Sequence, residues 1–403
     1  MPNESQPSTR QVSAQSQRRH ELIRQIEAKR KSKVMTYVLG DRTGAQAQIA
    51  EDAVRPMYDH LRAIAPTRKI DLFLYSVGGH TDVPWRIVTM IREFAQEFNV
   101  LIPYKAMSAA TMIALGSDQI VIGRKGELGP IDPKLTVHRG GREGETLVTE
   151  QVAVEDIMSY LRFLKEKAGL TDQTALAGPL SILANKVDPK ILGQIDRAHS
   201  HIRSVARKLL TSRKKKPPLD EQRIQVIVET LVEKTYQHGH AIGRKEAEEI
   251  GLNILRPDKD LEELIWNLHE TYEDLCALRR PIDQRTFIPP GQDEHTEGLV
   301  MGAIESVASS HHFTADLRAR SKRQVPPQMT INLNLNLQLP PGVQPSQVQP
   351  DTQQAIHQMM PQLQQQAQTI IQRELRSQMP VIGLEIWTEN GSWVRVEDWA
   401  GGA

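Results

Sequence analysis

The sequence predicts an α/β protein in which a parallel sheet is covered by helices on both faces, and two patterns lead to this prediction. Four short apolar runs, VMTYVLG, IDLFLYSV, VLIPY and QIVIG, follow one another between residues 34 and 123. Helical segments separate them, the clearest from Asp82 to Phe98, with one apolar face and Pro84 in its first turn. Strands that are apolar on both faces and alternate with helices are typical of a buried parallel sheet.

Length, charge and cysteine content narrow the class of protein. The 403 residues exceed one ordinary core and predict two or more domains. With 50 Lys and Arg against 49 Asp and Glu, no overall charge favours nucleic acid, and we expect no nucleic-acid partner. A single cysteine, Cys276, argues against a disulfide framework or a Cys-rich zinc site. The polar N-terminus and the lack of a long apolar stretch predict a cytoplasmic protein without a membrane span.

Composition divides the chain into four segments. Residues 1–33 are expected to begin disordered and to continue as a basic helical arm, whose narrow stripe of Leu22, Ile23 and Ile26 predicts a packing or oligomer contact. Residues 34–215 carry the alternating strands and helices, and residues 216–285 predict a small helical unit. Residues 286–403 form a Pro- and Gln-rich tail, predicted to be partly disordered. Within it we expect a strand over 331–339, a helix after Pro361 and a C-terminal hairpin turning at Asn390-Gly391.

A serine and a pair of glycines are the candidate functional residues. Gly78 and Gly79, in YSVGGHTD, follow a buried strand at the sheet edge where ligands collect, and glycine lets the backbone approach a ligand closely. Ser108 lies between VLIPY and the helical AATMIALGS, where unpaired helix N–H groups favour anions. Amides of the glycine turn and of Ala109 that converged near Ser108 would hold an oxyanion. A simple N-cap serine and a simple Gly-Gly turn remain open as alternatives.

These motifs also carry a family resemblance. AMSAATMIALGSDQIVIG, followed by GELGPIDPK and preceded by YSVGGHTD, resembles the serine dehydrogenase proteinase family, which is similar to the Clp protease and signal peptide peptidase A group. The resemblance runs from about residue 20 to about residue 280. It implies a Clp- or crotonase-like α/β spiral and a serine peptidase acting on a peptide or protein substrate. Ser108 would then be the nucleophile, with Gly78 or Gly79 and Ala109 as oxyanion donors.

The family resemblance does not identify the general base. Related peptidases use a histidine or lysine that follows the nucleophile, and here that region contains Asp132, Lys134 and His138. We expect Asp132 to orient and Lys134 or His138 to accept the proton, although Asp132 between two prolines is equally typical of a turn. His80, Lys165 and Lys167 are further candidates.

Two other functions compete with the peptidase. The chain could be an inactive scaffold of the same fold, or it could hold an acyl-thioester in a crotonase-like oxyanion site without a nucleophile. Related folds assemble, so we expect a homo-oligomer; the need for an ATPase partner stays open. The HGH turn at residues 238–240 indicates a helix stop rather than a metal site, and neither a metal nor another cofactor is expected.

Overall fold

The computed structural model describes residues 9–64, 66–131, 134–139, 148–214, 219–234, 240–283, 286–324 and 350–396. Its helices are α1 (Thr9–Arg30), α2 (Val54–Ile64), α3 (Val83–Phe94), α4 (Ala109–Leu115), α5 (Val154–Arg162), α6 (Gln173–Lys186), α7 (Pro189–Thr211), α8 (Glu221–Glu229), α9 (Arg244–Ile250), α10 (Lys259–Leu275) and α11 (Pro350–Gln378). Its strands are β1 (Lys33–Leu39), β2 (Asp41–Arg42), β3 (Ala45–Gln46), β4 (Lys69–Tyr75), β5 (Glu97–Ile102), β6 (Lys105–Ala106), β7 (Gln119–Ile122), β8 (Glu127–Leu128), β9 (Lys134–Arg139), β10 (Val148–Ala153), β11 (Ile242–Gly243), β12 (Ile254–Leu255), β13 (Glu294–Ser306), β14 (Ser310–Arg323) and β15 (Val381–Arg395).

The chain divides into two compact units. The first comprises Met1–Pro281, Leu299–Ala315 and Asn390–Ala403, and the second comprises Ile282–Gly298 and Asp316–Glu389. The division of the sequence into four segments, which rests on composition, stays a prediction. The strand predicted over 331–339 lies outside the described residues.

The predicted α/β fold is confirmed in the first unit. The four apolar runs form β1, β4, β5 and β7, which pair in parallel in the order β7-β5-β4-β1. β12 extends the parallel part beyond β7. On the other side, β13 pairs antiparallel with β1, followed by β14 and β15, so the complete sheet is mixed. The sequence had not predicted the β13 and β14 strands.

Apolar residues on both faces of the parallel strands are buried, as expected for a covered sheet. On one face, Phe73 and Val38 pack in a core with residues of α1 and α10. The alternate residues Leu72, Leu74 and Val100 have no solvent exposure either. The apolar stripe of the predicted arm, Leu22, Ile23 and Ile26, belongs to the core that contains Phe73. In the described structure this stripe therefore packs within its own chain.

The basic run at the end of α1 is satisfied within the protein. Arg30 donates to Asp71 at 2.7 Å, Lys29 pairs with Asp258 and Asp260, and Lys33 pairs with Glu27. These partners explain the cluster without a phosphate ligand.

The C-terminal part differs from the sequence-based expectation in two respects. The hairpin prediction is wrong, because residues 381–395 form the single strand β15. Asn390 adopts a left-handed φ of 57°, and Gly391 lies against the Phe313 ring, where a Cβ would come within 2.8 Å of that ring. The pair therefore makes an irregularity within a strand. The predicted helix exists as α11, but it begins at Pro350 and contains Pro361.

The second unit has its own polar contacts. Arg318 pairs with Glu389, Arg320 pairs with Glu294, and the Arg320 guanidinium lies 5.3 Å from the centre of the Trp387 ring. Among the helices of the described residues, none combines the length and the apolar character that crossing a bilayer requires.

Candidate functional site

Ser108 lies in a sharp turn between β6 and α4. Its backbone has φ 50° and ψ −112°, a combination that is sparsely populated for a residue with a side chain. Such a conformation costs on the order of 1–3 kcal/mol and persists only where the surroundings hold it in place. A strained turn from strand to helix is also the geometry that presents a nucleophilic serine in α/β-hydrolases.

The simple capping explanation for Ser108 does not account for its side chain. The residue occupies the N-cap position of α4, but its hydroxyl makes no capping hydrogen bond. Its carbonyl oxygen does accept from the Met112 amide at 3.1 Å. Across the described ranges no side chain bonds to the half-buried Ser108 hydroxyl. The hydroxyl is therefore not committed to holding the helix end.

The glycine turn lies directly against Ser108. A Cβ placed on Gly78 would stand 2.9 Å from the Ser108 Cβ and 3.4 Å from its Oγ, so only glycine permits this approach. The φ of 113° at Gly78 also favours glycine. Two hydrogen bonds join the loops, because the Met107 amide donates to Ser76 and the Ser76 amide donates to Lys105, both at 3.0 Å. The two loops that the sequence analysis singled out are therefore neighbours.

The amides of the two glycines are not equivalent. The Gly78 N–H donates to the Ser76 hydroxyl at 3.0 Å and is thereby committed. Ile49 pairs with the turn by donating to the Gly78 carbonyl at 2.9 Å and by accepting from the His80 amide at 2.8 Å. In such a ladder, the N–H of the intervening Gly79 faces away from Ile49. Within the part of the chain that the structure describes, neither the Gly79 amide nor the Ala109 amide has an acceptor.

Thr111 braces the turn from inside. Its fully buried hydroxyl lies 2.7 Å from the Ala106 carbonyl and 2.8 Å from the Gly129 carbonyl, and it accepts from the Gly129 amide at 3.2 Å. Gly129 is close to the turn as well, because a Cβ there would lie 2.5 Å from the Met107 sulfur. Thr111 thus fastens β6 and α4 to the segment Leu128-Gly129-Pro130, called the LGP segment below. Thr111 and Ser76 were not among the residues predicted from the sequence, although a serine two residues before a glycine is a known turn signal.

The structure brings none of the predicted base residues into a described contact with Ser108. Asp132 lies outside the described residues. Lys134 and His138 lie on β9, where they pair with Ala153 and Thr149 of β10. His80 is exposed, and Lys165 and Lys167 are exposed in the turn of π-helix, Phe163–Lys167, that follows α5.

Lys105, which the sequence analysis did not consider, is the described lysine nearest to Ser108 along the chain. Its Nζ lies 2.6 Å from Asp41 Oδ2, and the Tyr75 hydroxyl donates to the other oxygen of Asp41 at 2.7 Å. Burial alone would lower the pKa of Lys105, but the hydrogen bond and the charge of Asp41 raise it above its ordinary value. A lysine held protonated in this way is unsuited to accept a proton.

Comparison with known proteins matches part of the chain to a family. Residues 6–141 match the family described as ClpP-like SDH-type serine proteinase. The matched region contains β1, β4, the glycine turn, Ser108 and the LGP segment. The resemblance predicted from the motifs is thereby confirmed for that region, and the family supports a peptidase-like role.

Individual relatives are more distant. Two uncharacterized proteins of Methanocaldococcus jannaschii, MJ0137 and MJ1495, are 24% identical over 229 residues and 31% identical over 107 residues. These alignments cover 57% and 24% of this chain, which spans only 66% and 37% of the two relatives. Among solved structures, a variant of the membrane-bound stomatin-specific protease 1510-N is similar at 18% identity and a TM-score of 0.31, covering 58% of this chain and 85% of that one. ClpP1 from Listeria monocytogenes is similar at 14% identity and a TM-score of 0.30, covering 57% and 94%.

Proposed function

We propose that this protein is a serine peptidase in which the Ser108 hydroxyl attacks the carbonyl carbon of a peptide bond. The observation that carries the proposal is the strained backbone of Ser108 beside Gly78. In addition, the Ser108 hydroxyl makes no capping hydrogen bond to α4. Attack would form a tetrahedral intermediate, whose collapse expels the amine and leaves an acyl-enzyme for water to hydrolyse.

The negative oxygen of the intermediate would be held by the amides of Gly79 and Ala109. Ala109 is the first residue of α4, so its N–H has no acceptor inside the helix. Removing one such donor commonly costs about 100- to 1000-fold in rate. Gly78 would serve by permitting close approach rather than by donating, since its amide already bonds to Ser76.

For the general base we propose Lys134 or His138, which would accept the proton from Ser108. Asp132 would orient that base. The segment from Gly129 to β9 starts at the Thr111 brace, which supports a role for residues that follow it. The pH dependence of the rate separates the two candidates. A histidine base gives an inflection near 6.5, whereas a lysine gives one set by how far burial lowers its pKa. Replacing the true base should remove that inflection.

The decisive experiment is covalent labelling with a fluorophosphonate followed by intact mass measurement and peptide mapping. We expect one adduct at Ser108 in the wild type and none in Ser108→Ala. Ser117→Ala is the matched control, because that serine lies just beyond α4 and bonds only to nearby carbonyls. An adduct that persists in Ser108→Ala would refute the proposal.

An inactive scaffold is the second candidate, and the lack of a described side chain on the Ser108 hydroxyl is the observation that favours it. It predicts a wild-type protein that neither labels nor cleaves peptides. We propose that the chain forms homo-oligomers under either function, and light scattering at micromolar concentration would test this. If the scaffold is the function, removal of residues 325–403 should reduce the size of the assembly in native mass measurement.

A further inference from the structure

A cavity of about 440 Å³ lies at the carboxyl ends of β5 and β7, and none of the residues proposed for peptide cleavage lines it. Pro103 and Gly123, which follow those strands, form one side, and the first half of α10 forms the other. Small-molecule sites commonly have volumes of about 300–1,000 Å³. In sheets with parallel strands they gather at this same edge.

The apolar part of the lining consists of two prolines, one isoleucine and one tryptophan. Pro103, Pro257, Ile265 and the half-buried Trp266 contribute it. Behind Trp266 lies the His269 ring, with 5.3 Å between the ring centres. The Trp266 ring in this apolar wall suits a ligand ring in offset or edge contact.

His269 supports the wall without titrating near neutral pH. It is fully buried, and neither ring nitrogen has a hydrogen-bond partner among the described residues. Burial lowers its pKa to about 4, so the ring is neutral at pH 7. The backing of the cavity therefore adds no charge.

The charged side chains that line the cavity carry one more positive than negative charge. Arg124 and Glu262 satisfy each other, with 3.6 Å between Arg124 Nε and Glu262 Oε2. That leaves the ammonium groups of Lys125 and Lys259 against the single carboxylate of Glu263. Lys125 Nζ lies 4.3 Å from the centre of the Tyr104 ring, and no described acidic side chain pairs with either lysine.

We propose that this cavity binds a small aromatic monocarboxylate, with its ring against Trp266 and its carboxylate between Lys125 and Lys259. The apolar wall selects a ring, and the unbalanced charge selects a single negative charge. A phosphate dianion would exceed that balance. This proposal does not depend on Ser108 being a nucleophile.

Calorimetric titration of the full-length protein tests it with a matched pair of probes, indole-3-propionate and its uncharged amide, indole-3-propionamide. The acid should bind at least about tenfold more tightly than the amide. Lys125→Gln and Lys259→Gln should each weaken the acid severalfold and leave the amide unchanged. Trp266→Leu should weaken both probes, and Lys167→Gln, at an exposed position in another part of the chain, should change neither.

Equal affinity for acid and amide would overturn the proposal, as would no heat from the acid at millimolar concentration. An equal loss in Lys167→Gln would also overturn it, because it would show a nonspecific charge effect. Circular dichroism checks each fold. Should Trp266→Leu misfold, the two lysine variants decide the matter alone, since both lysines are exposed.

Discussion

Among single residues, the glycines matter as much to the site as the residues that have side chains. Gly78 lets its loop touch Ser108, and Gly129 lets the LGP segment touch Met107. The strained backbone of Ser108 then lies between two close approaches, which restrict its relaxation. This explains how a half-buried serine can hold an unfavourable conformation without using its hydroxyl as a cap.

Gly78→Ala tests this directly. The new methyl group would lie 2.9 Å from the Ser108 Cβ, and the φ of 113° is unfavourable for alanine. We expect fluorophosphonate labelling to fall at least about tenfold, equivalent to about 1.4 kcal/mol of lost stabilisation. Gly178→Ala is the control for labelling, because that helical glycine has open space around it and lies in α6, away from the glycine turn in the sequence. Equal labelling of Gly78→Ala and wild type would contradict the contact.

His269 and His60 are both fully buried histidines with lowered pKa values, but they differ in their hydrogen bonds. His269 has no hydrogen bonds in the described structure, whereas His60 bonds to Ser306 at 2.9 Å and to His311 at 3.0 Å. His269→Phe should therefore maintain or raise the free energy of unfolding at pH 7, by up to about 1–3 kcal/mol, because both ring nitrogens are buried without a hydrogen bond. Glu273 Oε1 lies 3.6 Å from Nε2, beyond hydrogen-bond distance. His60→Phe, which breaks those bonds, should lower it.

Because of His269, the free energy of unfolding should fall as the pH is lowered. The folded-state pKa of His269 is about 4 against an ordinary 6.5, so the unfolded chain binds more protons between those values. The stability that His269 contributes is complete above pH 6.5 and declines as the pH falls through about 4. Urea titrations between pH 4 and 7 should show a shallower decline in His269→Phe. An unchanged slope would mean that the imidazole is not shielded from water.

At the scale of elements, the predicted features are those set by local pattern. The runs that became β1, β4, β5 and β7 are apolar on both faces, and α3 has its periodic face and an early proline. The proximity of Gly78 and Ser108 was also predictable, because both follow parallel strands and meet at one sheet edge. The proton acceptor was not predictable in the same way, because no local pattern in the sequence selects among the proposed candidates Asp132, Lys134 and His138.

Other elements escaped prediction because long-range contacts decide them. β13 carries few signals of its own, but Tyr37↔Ile304 and Val38↔Ala303 pairing with β1 fixes it as a core strand. Asn390-Gly391 is a strong local turn signal, yet β15 continues through it. Tertiary pairing here outweighs the local preference. α6 was missed because Gly178 and Pro179 interrupt its pattern.

The Thr111 brace gives an element-scale prediction, because one hydroxyl joins β6, α4 and the LGP segment. Thr111→Val keeps the shape but leaves two buried carbonyls without that donor, and we expect a loss of about 1–3 kcal/mol of unfolding free energy. Thr111→Ser should recover most of it. Thr271→Val is the matched control, since that buried hydroxyl bonds only within its own helix, at 2.6 Å to Leu268. An equal loss in both valine variants in urea denaturation would show that the brace has no special role.

At the scale of the whole molecule, the family match ends well before the core does. Residues 6–141 include β1, β4, β5 and β7, but α10 covers one face of these strands and β13 pairs with β1. Without the later residues, β1 would become an apolar edge strand, which is a hazard for aggregation. The matched region is therefore not a self-sufficient folding unit.

A buried ion pair joins the two ends of the first unit. Arg19 of α1 donates to Glu305 of β13 at 3.0 Å, and Tyr272 of α10 donates to the same carboxylate at 2.6 Å. Both charged side chains are almost completely excluded from solvent. Burial alone would raise the pKa of Glu305, but the Arg19 charge and the hydrogen bonds from His312 and Arg19 lower it to about 2.

Glu305→Gln should therefore lower the free energy of unfolding by about 3–5 kcal/mol, because it leaves the Arg19 charge buried without its partner. The double variant Arg19→Met with Glu305→Leu should recover much of the loss, since it removes both charges at similar volume. Lys245→Ala, which breaks an exposed pair with Glu249, should change stability by less than about 0.5 kcal/mol.

The Glu305 contribution is complete above pH 4.5 and is lost as the pH falls through about 2, so Glu305→Gln should also lack this acid slope. Urea denaturation across this pH range measures both effects, and a small loss in Glu305→Gln at pH 7 would mean that α1 is not held to β13 by charge.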